Sequence, residues 1–230
     1  MTDKAGVLGA LSTVRDPELD ESLVELGFVN SVDVDGDSVS ISLRLPTYYC
    51  APNFAYLMAS DARAAVEALQ DIRNVTVVLD DHFASAEINH GLAHSLDFDE
   101  TFPKETSGQG LHDLRDLFRR KAFIARQARL CRSLEHRGVR EADLTHVRLR
   151  DLPRGAETSA YLARRQELAI DTADDAPFLV AADGTPIPAT TLSQHLRFAR
   201  TVSVSIEGSA SFCRGLLQTR YGRVGEEVGA

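Results

Sequence analysis

The sequence predicts an α+β fold: a small amino-terminal sandwich built as helix, β-hairpin, helix and strand, followed by a mainly α-helical carboxy-terminal domain. Three observations carry this. Val39, Ile41, Leu43 and Leu45 alternate with polar residues directly after Asp35-Gly36, the pattern of a hairpin with one buried face. Pro52 precedes Phe54, Leu57, Met58, Ala62, Ala65, Val66 and Leu69, which form one stripe of a helix that starts on proline. Beyond residue 110, Leu111, Leu114, Leu117, Phe118, Ala125, Ala128, Cys131 and Leu134 recur at helical spacing until Gly138.

In chain order, Val7, Leu8, Leu11 and Val14 share one face of a short helix stopped by Asp16-Pro17, since proline disfavours helix at the residue before it. The turn Asp16-Pro17-Glu18-Leu19 follows, then Leu23-Val24, Leu26-Gly27 and an extended run from Phe28 to Val34, which the hairpin turn links to its partner strand. Asn74 to Leu79 reads as a third strand, giving a sheet covered on one side. These elements supply a self-contained core, so residues 1–83 are expected to form a domain and to fold alone. Residues 84–110 are acidic, contain Pro103 and Gly108 and show weak periodicity, and are read as a linker. Residues 111–230 form the second domain, a client- or partner-binding one. Its further helices are expected near Glu157 to Glu167, Thr191 to Arg200 and Ser211 to Leu217, interrupted by extended pieces at Phe178 to Val180 and Val202 to Ile206.

The chain has 230 residues, 43% of them apolar, enough for one or two real cores. Its longest apolar run, Ala176 to Ala182, falls far short of the roughly 18 residues of a membrane span. Lys4 followed by Ala5 to Leu11 mimics a secretory leader, but no cleavage site follows. A cytoplasmic protein without membrane association is expected. Residues 1–103 hold 18 acidic and 5 basic side chains, residues 104–230 hold 16 and 20, and the formal net charge is -9. An acidic first half is repelled by phosphate backbones, so nucleic acid is excluded as a partner and a DNA-binding regulator is disfavoured. No G-x-S-x-G, Walker loop or dinucleotide fingerprint occurs, and Asp183-Gly184-Thr185-Pro186 is a plain turn. Hydrolase, kinase and dehydrogenase readings therefore lack their chemistry, and the chain is not expected to be an enzyme.

Three widely spaced cysteines, Cys50, Cys131 and Cys213, form no C-x-x-C pair, which argues against a zinc ribbon and a disulfide scaffold. Cys50 is the most informative. It leaves a buried strand two residues before a proline-started helix, whose free amides and positive dipole end would favour a thiolate able to take a soft metal. Ala51 is a poor helix cap, leaving room for an external anion or the thiolate itself. The same position also suits a half-buried cysteine packed on Tyr48 or Tyr49. Asp16 and Glu18 flank a rigid proline near the same end of the sheet, either as metal ligands or as solvated carboxylates of a helix stop. His82, His90 and His94 lie near Asp80 and Asp81, a set that suits a metal site, but Gly91 and the weak pattern favour a solvated linker.

Over about residues 5–83 the chain resembles the PaaD-like and SufT-like metal-sulfur cluster assembly domain. The resemblance rests on Val14-Arg15-Asp16-Pro17-Glu18-Leu19, Leu23-Val24-Glu25-Leu26-Gly27-Phe28-Val29, the hairpin, Leu45-Pro46-Thr47-Tyr48-Tyr49-Cys50-Ala51-Pro52, and Val75 to Leu79. It implies an accessory factor that matures iron-sulfur or iron proteins, with the family's loop cysteine at Cys50 and its acidic-proline turn at Asp16 and Glu18 as metal ligands. Where many relatives carry a proline-rich, tryptophan-ended tail after the last strand, this chain has Asp80-Asp81-His82-Phe83. Tyr48 to Phe54 and the long carboxy-terminal extension are similar to a two-domain subset that accompanies soluble di-iron monooxygenases. That likeness implies such an oxygenase as the client metalloenzyme, contacted through Thr47, Tyr48, Tyr49 and Asn53.

One cysteine cannot fill the four-thiolate shell of a usual cluster. An iron ion or iron-sulfur cluster is therefore expected to be transient: shared between two copies in a homodimer, completed by Cys131, Cys213 or a small thiol, or passed to the client. Cys131 and Cys213 themselves read as core fillers on helices of the second domain. The competing reading is a client-specific folding chaperone that binds no metal.

Overall fold

In the computed structural model, which describes residues 2–104 and 111–222, Gly36 takes the first position of the two-residue turn between β1 (Val29–Asp35) and β2 (Ser38–Arg44). Its φ of +61° is the left-handed conformation that glycine adopts without penalty, so the Asp35-Gly36 signal makes the predicted hairpin. β1 and β2 pair antiparallel, from Asp35 opposite Ser38 to Val29 opposite Leu43. β3 (Asn74–Asp80) joins β2 in parallel, from Ser38 opposite Asn74 to Arg44 opposite Asp80, giving the order β1-β2-β3. A parallel pair needs a crossover, and α2 (Pro52–Glu67) supplies it. Val32, Val39, Ile41, Leu43, Val77 and Leu79 point from the sheet into one core with Ala55, Met58, Ala59, Ala62 and Val66 of α2. α1 (Lys4–Leu11) adds Val7 and Leu11, and its first turn is capped by Asp3, which accepts from the Gly6 amide at 2.9 Å. The chain is thus α+β, with a small sheet in the amino-terminal part and a largely helical remainder.

Two stretches differ from the sequence expectation. Residues 84–104, expected within the linker, carry α3 (Ser85–Ala93) and α4 (Phe98–Thr101) and bury Ala84, Ile88, Leu92 and Phe102 in the first core. Two apolar positions per helix are too few to raise a periodic signal but enough to dock these short helices. Asn89 completes the docking by bonding both the amide (2.8 Å) and the carbonyl (3.2 Å) of Leu79, groups that β3 leaves unpaired on its outer edge. Gly91 is buried where α4 approaches, and a side chain there would collide with Thr101. The rest of the expected linker, residues 105–110, lies outside the described residues, as do residues 223–230.

The second difference is α7 (Leu192–Tyr221), one continuous 30-residue helix where two helices and an extended piece were expected. Val202, Val204 and Ile206 read as alternation. The helical spacing of buried Leu192, Leu196, Ala199, Ser203, Ile206, Ala210 and Leu217 prevails. β-branched residues lower helix propensity by only a few tenths of a kcal/mol each, about the amount that packing one helix face readily overrides.

The described residues form two compact units: 2–113 with 209–222, and 114–208. The second contains most of α5 (His112–His136), short 3-10 helices at Glu141–His146 and Leu149–Asp151, α6 (Ala156–Glu167) and the first part of α7. Gly138, at φ +93°, ends α5 as the sequence indicates. Phe123, Leu130, Cys131, Leu134, Tyr161, Phe178 and Leu196 are among its core residues. Phe178 to Val180 is buried but forms no strand, its neighbourhood holding only isolated pairings of Arg148 with Pro177 and Val180 with Pro186. Gln127, fully buried, donates to the Val180 carbonyl (3.0 Å) and accepts from His195 Nε2 (2.7 Å). Among the described residues no helix is long and apolar enough to cross a membrane.

Candidate functional site

Sheet topology decides which segments meet. β1 begins, and β2 and β3 end, at the same end of the sheet, because Val29 lies opposite Leu43 and Leu43 opposite Leu79. The turn at Asp16, the loop carrying Cys50 and the segment after β3 therefore emerge together, although they are more than 30 residues apart in the chain.

The Cys50 loop is held at several points. Leu45 and Pro46 are buried and anchor its start. The half-buried Cys50 thiol sits 3.3 Å from Thr47 Oγ1. The Cys50 carbonyl accepts from His82 Nε2 at 2.7 Å, while His82 Nδ1 accepts from the Ala84 amide at 3.2 Å. Those two bonds fix the tautomer with its proton on Nε2, and burial lowers the histidine pKa, keeping the ring neutral. The Phe83 amide donates to the Tyr48 carbonyl at 3.1 Å. Below the loop α2 starts at Pro52 with no side-chain cap from Ala51, as the sequence predicts.

Asp16 is 8% exposed, and its Oδ1 accepts from the amides of Glu18 and Leu19, both at 2.8 Å. Burial dominates over those bonds and raises its pKa to about 6. Glu18, two residues on, is exposed. The two predicted carboxylates thus differ: one is built into the turn, the other stands in solvent.

Of the expected client contacts, Tyr48 and Tyr49 are exposed, and Tyr49 is 77% accessible. Their rings pack edge to face at 5.0 Å, and Phe83 joins both, at 6.4 Å from Tyr48 and 5.9 Å from Tyr49. Asn53 is half-buried on the first turn of α2, whereas the Thr47 hydroxyl is engaged with the Cys50 thiol. The exposed rings of His90, in the last turn of α3, and His94, just past its end, lie tilted with centroids 4.2 Å apart, and His94 Nδ1 donates to the His90 carbonyl at 2.8 Å.

Sequence reasoning did not single out the roles of His82 and Phe83. The parallel β2-β3 pairing is the signal that places residues 81–84 beside residues 45–50. The sequence reading also placed Cys213 in the second domain, but that residue packs against the first core, on the last three turns of α7. Cys131 is a core residue of the second unit as expected, 1% exposed, its thiol pushed up to about 12 by burial. Among the described residues no three His, Cys, Asp or Glu side chains converge to hold a metal ion.

A family model described as "Iron-sulfur cluster assembly protein" matches residues 4–78, which span α1 through most of β3. The chain is 36% identical over 93 residues to an uncharacterized protein of Methanocaldococcus jannaschii, covering 40% of this chain and 96% of that protein. It is 32% identical over 75 residues to the Fe-S protein maturation auxiliary factor of Bacillus subtilis, covering 32% of this chain and 72% of the factor. It is 38% identical over 71 residues to an iron-sulfur cluster carrier protein of Synechocystis, covering 31% of this chain but only 20% of the carrier. With a matching domain, a loop cysteine at the open end of its sheet, and two relatives above 30% identity of which it covers 96% and 72%, the chain belongs to the iron-sulfur cluster assembly protein family.

Proposed function

We propose that this protein is an accessory factor in iron-sulfur cluster or iron-centre assembly that holds its cargo transiently at the Cys50 loop and hands it to a client metalloenzyme. It is not itself an enzyme in this reading. The observation that carries the proposal is the arrangement around Cys50: a half-buried thiol on a loop pinned by His82, at the sheet end shared with Asp16, directly beside the exposed Tyr48, Tyr49 and Phe83 cluster. A thiol supplies a soft ligand, Asp16 and Glu18 supply carboxylates, and clustered aromatics are the side chains that most often anchor a protein partner. The PaaD-like character of the loop and the helical extension support a soluble di-iron monooxygenase as the client.

The experiment is anaerobic purification of the full chain, reconstitution with ferrous iron and sulfide, and transfer to the client, comparing the native protein with Cys50→Ser. The substitution is nearly isosteric, so the fold is retained while bound iron and client metallation fall. Unchanged metallation with Cys50→Ser overturns the ligand role. It would favour the second reading, a folding chaperone, which the Thr47 contact supports because it also suits a cysteine that merely packs.

A further inference from the structure

α7 buries one side and leaves the other open along most of its length. From Phe198 to Thr219 its exposed positions recur every three or four residues, the spacing of a single strip about 32 Å long. Three of the large apolar side chains exposed among the described residues stand on it: Phe198, Val204 and Phe212, at 57%, 60% and 67% accessible. The positions between them are small, and at Gly208 and Gly215 nothing stands within 4 Å of where a side chain would begin. The strip carries no charge, in a chain of which 26% is charged. The charged side chains at its borders are each held by a partner within one unit: Arg200 by Glu135 at 2.8 Å and Glu207 by Arg132 at 2.7 Å in the second, Arg214 by Glu21 in the first.

The pattern decides what such a strip fits. An acidic or basic partner finds no complement on it. Self-association through a charged face sets like charges against each other, and this face has none to set. Two antiparallel copies related by a two-fold axis at Gly208 bring Phe212 of one level with Val204 of the other, Ser211 with Ser205 and Gly215 with Thr201. Bulky apolar side chains then meet one another, and small residues face small ones where the two backbones come closest. Two such strips, each about 32 Å long and about 10 Å wide, bury on the order of 1,000 Å² together, the lower end of specific interfaces and the size of a reversible one.

We propose that the exposed strip of α7 is the contact between two copies of this chain, packed antiparallel about Gly208 into a reversible dimer. Each dimer carries two Cys50 loops. The inference stands apart from the assembly reading, since it uses no residue of that loop.

The test is sedimentation of the full chain over roughly a hundredfold range of micromolar concentration, at low and at high salt. The expected result is a monomer-dimer equilibrium that raised salt leaves unchanged or tightens. Gly208→Arg is the decisive variant. A side chain at 208 meets nothing in the single chain, and arginine favours helix over glycine, so the fold is kept while two arginines collide at the axis. Dimerisation should weaken at least tenfold, with the thermal midpoint of the monomer unchanged or raised. Phe212→Ser should weaken it as well, and Tyr49→Ser should not. A chain that stays monomeric throughout, a dimer that survives Gly208→Arg, or one that loosens as salt rises overturns the inference. A dimer lost in Tyr49→Ser instead places the contact on the aromatic cluster and overturns it too.

Discussion

The Nε2–H of His82 donates to the backbone carbonyl of Cys50 at 2.7 Å, joining the segment after β3 to the loop after β2. Neither group is reactive, yet the bond fixes the backbone from which the Cys50 thiol projects. His82 is 2% exposed, and both its ring nitrogens are used.

Removing that ring should therefore loosen the loop without unfolding the domain. His82→Ala leaves the Cys50 carbonyl and the Ala84 amide without their partner, a loss of about 1–3 kcal/mol. Chemical denaturation should show this decrease. Amide exchange should accelerate at residues 47–51 and stay unchanged in the sheet.

Asp16 gives stability a defined pH dependence. Its pKa is raised from 3.8 to about 6 by burial, so between those values the folded chain binds a proton that the unfolded chain does not. The contribution of the protonated carboxyl is complete below pH 3.8 and disappears as pH rises to about 6. Asp16→Asn keeps the oxygen that accepts from Glu18 and Leu19 but does not titrate. Its stability relative to the native chain should rise across that window by about 3 kcal/mol at most, measured by denaturation at matched pH.

The aromatic cluster predicts separable effects on folding and recognition. Tyr49→Ser removes a side chain that is 77% accessible, so stability should change by no more than about 0.5 kcal/mol. If Tyr49 anchors the client, affinity should fall about tenfold or more. Co-purification and titration with the client measure this, and an unaltered affinity would place the client elsewhere.

The first core extends beyond residue 83. Leu217 is 1% exposed within it, so Leu217→Ala should cost about 2–5 kcal/mol although it lies 138 residues after Leu79, near the end of β3. A fragment ending at residue 83 lacks Ile88, Leu92, Phe102, Ala210 and Leu217, all core residues. It should be protease-sensitive and show no cooperative thermal transition, whereas the full chain should unfold cooperatively.

The hairpin, α2 and β3 were legible because their signals are local. Asp35-Gly36 specifies a turn, strict alternation specifies a strand with one wet face, and Pro52 with its apolar stripe specifies where a helix starts and which side it buries. Cys50 was legible for the same reason, since a strand exit followed by a proline-started helix places it at the sheet end whatever lies beyond. α3 and α4 were not, because helices docked by two side chains each leave almost no periodic trace. Val202 to Ile206 misled because a short alternating run fits a strand and a helix equally until its neighbours pack.

The amino-acid sequence alone determined the α+β class, the order of the first five elements and the loop that presents Cys50, all set by propensities and periodicities within a few residues. Only the tertiary structure decided what surrounds that thiol. The parallel β2-β3 pairing brought His82 and Phe83 to the loop, and the last turns of α7 brought Cys213 to the first unit. His82 lies 32 positions after Cys50 and Cys213 lies 163 after it, separations over which packing depends on apolar burial, which is non-directional and leaves no local mark in the chain.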